Sequence, residues 1–214
     1  MKILIVIIFI ICTSLGTWQV YRMNYKDILI NRINTTEYIK LNDLLEKNKE
    51  KKENLEYTKI ITKGKYIKNK NIFLYQDNNH YKVLTPFIDE NNAIFLINRG
   101  IIEEKNKDKL NNLILDNSAQ TIKGLIKFNN KTMPFINNDI INNIWLYIDI
   151  STMADYLELD LSNFIVIAED QDKNNIIKQN ENIIINNYHS HYIIMWYTLS
   201  FIMIMYLHRQ FNRK

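Results

Sequence analysis

Cysteine is almost missing from this chain: Cys12 is the only one among 214 residues. A single thiol excludes an intrachain disulfide framework and any metal centre built on cysteine pairs. Because Cys12 lies in an apolar run, the charged middle of the chain has no thiol to oxidise, which fits an exported domain. Glycine (4) and proline (2) are nearly as scarce. No Gly-rich phosphate loop, no H-E-x-x-H and no G-x-S-x-G nucleophile elbow occurs, and the carboxylates are scattered among lysines. With four histidines, His80, His189, His191 and His208, the chain offers no nucleophile and base at motif spacing, so the reading is not an enzyme. A strong charge of one sign is absent too. The net charge is +4, and runs such as Glu46-Lys47-Asn48-Lys49-Glu50-Lys51-Lys52-Glu53 alternate in sign, as a solvated helix face does, which argues against nucleic-acid binding. Ile, Asn and Lys crowd every region, so Ile-for-Val and Lys-for-Arg exchanges carry little meaning.

What the chain does have is two long hydrophobic stretches, residues 3–21 and 188–207, with a more polar segment between them. A helix crossing about 30 Å of hydrocarbon needs roughly 20 mostly apolar residues, and both stretches supply them. A cleaved signal peptide is the rival reading for the first. Its apolar run is longer than a usual h-region, however, and no A-x-A-like site follows. The expected organisation is a transmembrane helix over 3–22, an extracytoplasmic domain over 23–187, a second transmembrane helix over 188–207 and a cytoplasmic tail over 208–214. Lys2 before the first span and Arg209, Arg213 and Lys214 beyond the second put both termini on the cytoplasmic side of a multi-pass protein. No Arg-rich, Ser-rich presequence precedes Ile3, which favours a bacterial inner membrane over the mitochondrial inner membrane.

Between the spans, 25–52 reads as one or two helices, with Ile28, Leu29, Ile33, Leu41, Leu44 and Leu45 at helical spacings. Short runs rich in Ile, Tyr, Phe and Val follow at 57–67, 72–76, 81–88, 93–98, 121–128, 144–150 and 164–168, separated by Asn, Asp, Lys and Gly clusters, which are strand and turn signals. Gly100, at the end of Asn98-Arg99-Gly100, predicts a positive-φ turn or a tight backbone approach. Arg99 reads as structural, paired across a sheet. Residues 151–159 predict a short helix capped by Ser151. The fold class is therefore α+β, a sheet-dominated domain bracketed by N- and C-terminal transmembrane helices.

The polar and aromatic ends of the two spans exceed what an anchor requires. In a helix from Asn187 onward, His189 shares a face with Tyr192, Trp196 and Ser200, and His191 points about 200° away. On the first helix Trp18 and Arg22 lie at i and i+4, hence on one face. If the helices pack, imidazole, aromatic rings and a guanidinium meet at the outer rim of the bilayer. That is the equipment for holding a haem, with imidazole on iron, rings on the porphyrin and Arg22 on a propionate. The alternative is an interfacial belt of aromatic anchors, a histidine bonded to water or headgroups and a snorkelling arginine.

Taken in order, these residues resemble the Surfeit locus protein family of cytochrome c oxidase assembly factors, over almost the whole chain. The pieces are Leu15-Gly16-Thr17-Trp18-Gln19-Val20-Tyr21-Arg22 with Lys26; Gly64-Lys65-Tyr66; Val83-Leu84-Thr85-Pro86-Phe87; Phe95-Leu96-Ile97-Asn98-Arg99-Gly100; Trp145-Leu146-Tyr147-Ile148-Asp149-Ile150 with Met153-Ala154; and His189-Ser190-His191-Tyr192 with Trp196-Tyr197. The resemblance implies a non-enzymatic membrane factor of the respiratory chain that presents or stabilises haem a while oxidase subunit I matures. Its expected partners are subunit I, haem a synthase and membrane lipid. A histidine of the second span is implicated in haem binding in bacterial members, and His189 occupies that position. The alternative is a haem-free membrane scaffold that stabilises a subunit I intermediate. Two departures stand out: Ile101 follows Asn-Arg-Gly where an aromatic is usual, and Asn79, His80 and Tyr81 stand where glycines are usual.

Overall fold

The computed structural model describes residues 2–47, 55–111, 118–128, 137–170, 177–178 and 183–212. Most of the alternating charge run, from Asn48 onward, lies outside the described residues, as does the end of the tail at 213–214. The chain divides into two compact units, Met1–Asn34 with Ile183–Lys214, and Thr35–Asn182.

The first unit is a helix pair. Helix α1 spans Lys2–Asn34 and α5 spans His189–Phe211, so α1 continues well past Arg22. Both are long and apolar enough to cross a membrane. The less exposed residues of α1 recur as Ile5, Phe9, Cys12, Gly16, Gln19, Met23 and Lys26, and those of α5 as His189, Ile193, Trp196, Ser200, Met203 and Leu207. Alternating steps of four and three make a heptad seam, the pattern that keeps one stripe of each helix against its partner. The remaining faces carry exposed apolar bulk, among it Leu4, Ile7, Ile10, Ile11, Ile194 and Phe201. A helix apolar all round belongs in lipid rather than water.

The second unit is sheet-rich, as its β-branched and aromatic runs require. Its strands are β1 (Ile39–Lys40), β2 (Lys59–Tyr66), β3 (Ile72–Asp77), β4 (His80–Asp89), β5 (Ile94–Glu103), β6 (Gln120–Phe128), β7 (Ile144–Trp145) and β8 (Phe164–Ala168), with helices α2 (Leu41–Lys47), α3 (Lys107–Asn111) and α4 (Ile150–Leu157). The sheet order is β1-β2-β6-β8-β5-β4-β3-β7, and β2 also pairs with β4. That pairing, Gly64 opposite Asp89, closes β2, β6, β8, β5 and β4 into a five-stranded barrel. All its pairings are antiparallel except β5 with β8. Small closed barrels of this kind, the OB-fold type, fill their interior with side chains. Here Phe87, Phe95, Phe164 and Phe128 stack through it at centroid distances of 5.7, 5.1 and 5.9 Å. Outside the barrel wall, Trp145 and Met153 pack on Ile72, Leu84, Leu96 and Ile165. Strand β5 is therefore buried on both faces, with Phe95 and Ile97 turned inward and Leu96 outward.

Several expectations need correction. Strand β5 does not end at Asn98: Arg99 is the extra residue of a bulge, since Val83 faces Gly100 and Leu84 faces Asn98. Gly100 has φ +135°, and a Cβ there would sit 2.1 Å from the Lys178 carbonyl oxygen, so the tight approach lies inside a strand. The run 144–150 is strand only at Ile144–Trp145. Beyond it the Leu146 and Tyr147 N–H groups donate to Asn138 Oδ1, at 2.8 and 3.2 Å, and not to a neighbouring strand. Helix α4 is capped by Asp149 rather than Ser151: Asp149 is extended (φ −129°, ψ 97°) and accepts from the Thr152 N–H. The helix closes at Glu158 in the left-handed region.

Candidate functional site

Within the helix pair, partner numbers fall on α5 as they rise on α1, so the helices run antiparallel. Thr13 Oγ1 donates to the Phe9 carbonyl at 2.8 Å, which leaves Ser200 as donor in the 2.8 Å Thr13–Ser200 contact. Thr17 likewise donates to the Thr13 carbonyl at 2.9 Å, so the Tyr197 hydroxyl donates to Thr17 at 3.2 Å. Gly16 lies between these levels. A Cβ on it would come within 3.0 Å of the Tyr197 ring, so glycine is what lets the backbones close, in the manner of small residues at membrane helix contacts. Farther along, the connection into α5 is fastened to α1. Asn187 Nδ2 donates to the Met23 carbonyl at 3.1 Å and to Asp27 Oδ1 at 2.7 Å, and Lys26 Nζ donates to the Asn186 carbonyl at 2.8 Å.

Between these two sets of clamps sits His189. Its Nδ1 lies 2.5 Å from Gln19 Oε1. An amide oxygen only accepts, so Nδ1 carries the hydrogen and Nε2 is left with its lone pair. That Nε2 is closed to solvent and has no hydrogen-bond partner among the described residues. A buried polar atom left unpaired costs about 1–3 kcal/mol, so such orphans in native structures call for an explanation. A lone-pair imidazole nitrogen held by a hydrogen bond at its other nitrogen is the form in which histidine binds metal. The residues present therefore fit an iron-bearing ligand, on the geometry of a single ring.

The remaining site candidates lie around this ring in unequal ways. Trp196 is half-buried two turns along the same stripe, whereas Tyr192 is 52% exposed. On α1, Trp18 and Arg22 stay together, with the guanidinium 6.0 Å from the indole centroid. Both are exposed, and the seam position on α1 between them is Gln19. Ser200, on the His189 face, is buried against Thr13. His191 is exposed, and His208 Nε2 contacts Asn212 Nδ2 at 2.9 Å. Gln19 had no role from sequence. Its signal was there: an amide inside an apolar span, in heptad step with Cys12, Gly16 and Met23.

Many polar groups of the barrel unit are paired structurally, while Gln76 Oε1 and Asp89 Oδ2 are buried with no hydrogen-bond partner among the described residues. Arg99 is buried, its guanidinium 4.9 Å from the Tyr66 centroid and 3.4 Å from Thr85 Oγ1. Tyr38 donates to Glu169 at 2.5 Å, and that bond, with burial and the nearby negative charges, pushes the phenol up to about 12. Lys105 and Lys178 bridge Glu103 and hold its carboxyl down at about 2. Lys107 stands over the Tyr81 ring, 3.2 Å from its centroid, and burial lowers its pKa. Among the described residues no group of three or more His, Cys, Asp or Glu side chains could hold a metal ion.

Comparison with known proteins identifies relatives of the chain along most of its length. A family model described as the SURF1 family matches residues 6–201. A "SURF1-like protein" of Rickettsia prowazekii (strain Madrid E) is 34% identical over 95% of this chain and 87% of its own length. One from Rickettsia conorii (strain ATCC VR-613 / Malish 7) is 30% identical over 94% of this chain and 87% of its own. The "Surfeit locus protein 1" of Xenopus tropicalis is 26% identical over 93% of this chain and 72% of its own.

Proposed function

The chain belongs to the SURF1 family, known generally for cytochrome oxidase assembly, and from that premise we propose that it holds haem a for delivery to maturing oxidase subunit I. The observation that carries the reading is the unpartnered Nε2 of His189 in the seam between two membrane-length helices. When bound, haem a would supply an iron able to accept an imidazole nitrogen. His189 would offer Nε2 to it, and Trp196 and Tyr192 on the same helix would flank the macrocycle. Arg22, beside Trp18, would neutralise a propionate with its planar fork of donors. The protein would act without turnover of its own, by binding, orienting and shielding. The cation distribution supports both termini on the cytoplasmic side, and the Rickettsia relatives support a bacterial inner membrane. Haem a synthase, as donor, and subunit I, as acceptor, complete the proposed route.

The test is purification from membranes of a host that makes haem a. The wild type is expected to show a Soret band that His189→Ala loses. Equal absorbance in the two removes His189 as a ligand. Co-purification with subunit I and no haem in the wild type would replace this reading with that of a haem-free scaffold. Arg22→Gln is expected to bind haem more weakly and to impair oxidase assembly.

A further inference from the structure

We infer that Gln19 is the positioning residue for His189: it fixes the imidazole in the Nδ1–H form and turns Nε2 toward the ligand. The inference rests on the haem-holding reading, and extends it to a residue that contacts no ligand itself. Three observations converge on it. Gln19 Oε1 lies 2.5 Å from Nδ1, an acceptor facing a ring nitrogen, and this determines which nitrogen carries the proton. The partner nitrogen is buried with no bond among the described residues, and none of these is a competing acceptor that would hold the opposite tautomer. The clamps on either side then prevent the pair from sliding. Gly16 and Tyr197 meet on one side, with Asn187 across Met23 and Asp27 on the other. Nothing but side-chain length and helix register sets the Gln19–His189 distance, and both are fixed.

In chemical terms, an acceptor on Nδ1–H draws its proton outward and makes Nε2 a more basic ligand. Hydrogen-bond partners on the far nitrogen of metal-bound histidines are typically worth about 10–100-fold in metal affinity. A carboxylate in place of the amide would strengthen the effect, and an isobutyl group would abolish it. The same ranking applies to the redox potential. More basic imidazole stabilises ferric over ferrous iron, so Gln19→Glu lowers the midpoint and Gln19→Leu raises it.

The experiment uses the full chain in lipid nanodiscs with ¹⁵N-labelled histidine, His189 being assigned by its loss in His189→Ala. In the ligand-free protein the wild type and Gln19→Glu should show the Nδ1–H pattern of ¹⁵N shifts, and Gln19→Leu should move toward Nε2–H. Titration with haemin should then give binding about 10–100-fold weaker in Gln19→Leu than in the wild type. The midpoint potentials should run Glu below Gln below Leu. A Nε2–H pattern in the wild type, or one unmoved by Gln19→Leu, overturns the inference, as do equal affinities and potentials across the three. Should the leucine variant not fold, the Gln19→Glu potential decides alone: no downward shift sinks the idea. A wild type that binds no haemin but whose tautomer follows Gln19 overturns the haem reading and leaves the positioning role intact.

Discussion

In the barrel unit the Thr85 hydroxyl donates to Asn71 Oδ1 at 2.7 Å, and the buried Arg99 guanidinium spreads over Tyr66. In the helix pair His189 Nε2 is buried without a hydrogen-bond partner among the described residues. Both regions enclose polar atoms, but to different ends. The barrel wall is covered on both faces, by phenylalanines inside and by Trp145, Met153 and Leu157 outside, so its polar groups mainly fix register and turns. Asp89 illustrates this: its Oδ1 accepts from the Asn91 and Ala93 N–H groups and shapes the turn before β5, although its Oδ2 is buried with no hydrogen-bond partner among the described residues. The helix pair has no core of that kind. Its seam is narrow, closed by Gly16 and by hydroxyls, and His189 Nε2 is enclosed in it. Stability is thus expected to reside chiefly in the barrel and the proposed ligand chemistry in the pair.

The largest test of this division is Trp145→Ala. Trp145 is fully buried and its indole N–H donates to Asn143 Oδ1 at 2.9 Å. Its removal is expected to cost about 3–5 kcal/mol. Hydrogen exchange read by mass spectrometry on the full chain should show β2 to β8 opening while α1 and α5 keep their protection. Equal loss in both units breaks the comparison, because the pair would then depend on the barrel core.

The strands of the barrel were largely legible in the sequence, for a physical reason. Strands with β-branched and aromatic runs announce themselves, and β2, β3, β4, β6 and β8 fall within a residue or two of the runs that predict them. What local pattern could not supply was closure. The pairing of Gly64 with Asp89 joins residues far apart in the chain and leaves no periodic trace. The bulge at Arg99 was hidden for a similar reason, since a glycine at positive φ reads equally as a turn or as a strand under pressure from Lys178. At the site, helical arithmetic grouped His189, Tyr192, Trp196 and Ser200; His189 and Ser200 meet α1 directly, at Gln19 and Thr13, whereas Tyr192 is exposed. Which residue of α1 stands opposite depends on crossing and register, which one helix alone does not encode.

Gly16→Ile attacks the other side of the division. The added branched side chain starts 3.0 Å from the Tyr197 ring, and overpacking of that sort costs about 1–3 kcal/mol. Here α1 and α5 should lose protection and the barrel strands should not. Because the backbones are pushed apart beside Gln19, the variant should also lose the haem band expected of the wild type. Gly16→Ala, a smaller intrusion, should fall between the two. A barrel that loosens with the pair would merge the two regions into one cooperative unit.

The smallest effect sharpens the claim that the barrel's acidic groups serve its architecture. Asp149 caps α4, and although burial raises its pKa, hydrogen bonds from Thr152 and Ser151 outweigh that and hold it below the usual carboxylate range. A carboxyl depressed in the folded state stabilises the fold above its unfolded value of about 3.9, and this contribution vanishes as pH falls through the folded value. Asp149→Ala should therefore cost about 1 kcal/mol near neutrality, measured by urea unfolding. The gap between the two proteins should hold down to about pH 5 and narrow steadily below about pH 4, where the wild type loses its charged cap. If the gap instead stayed constant through the acid range, the cap would act through its shape and not its charge. Asp149 would then be no more than a polar spacer before Ile150.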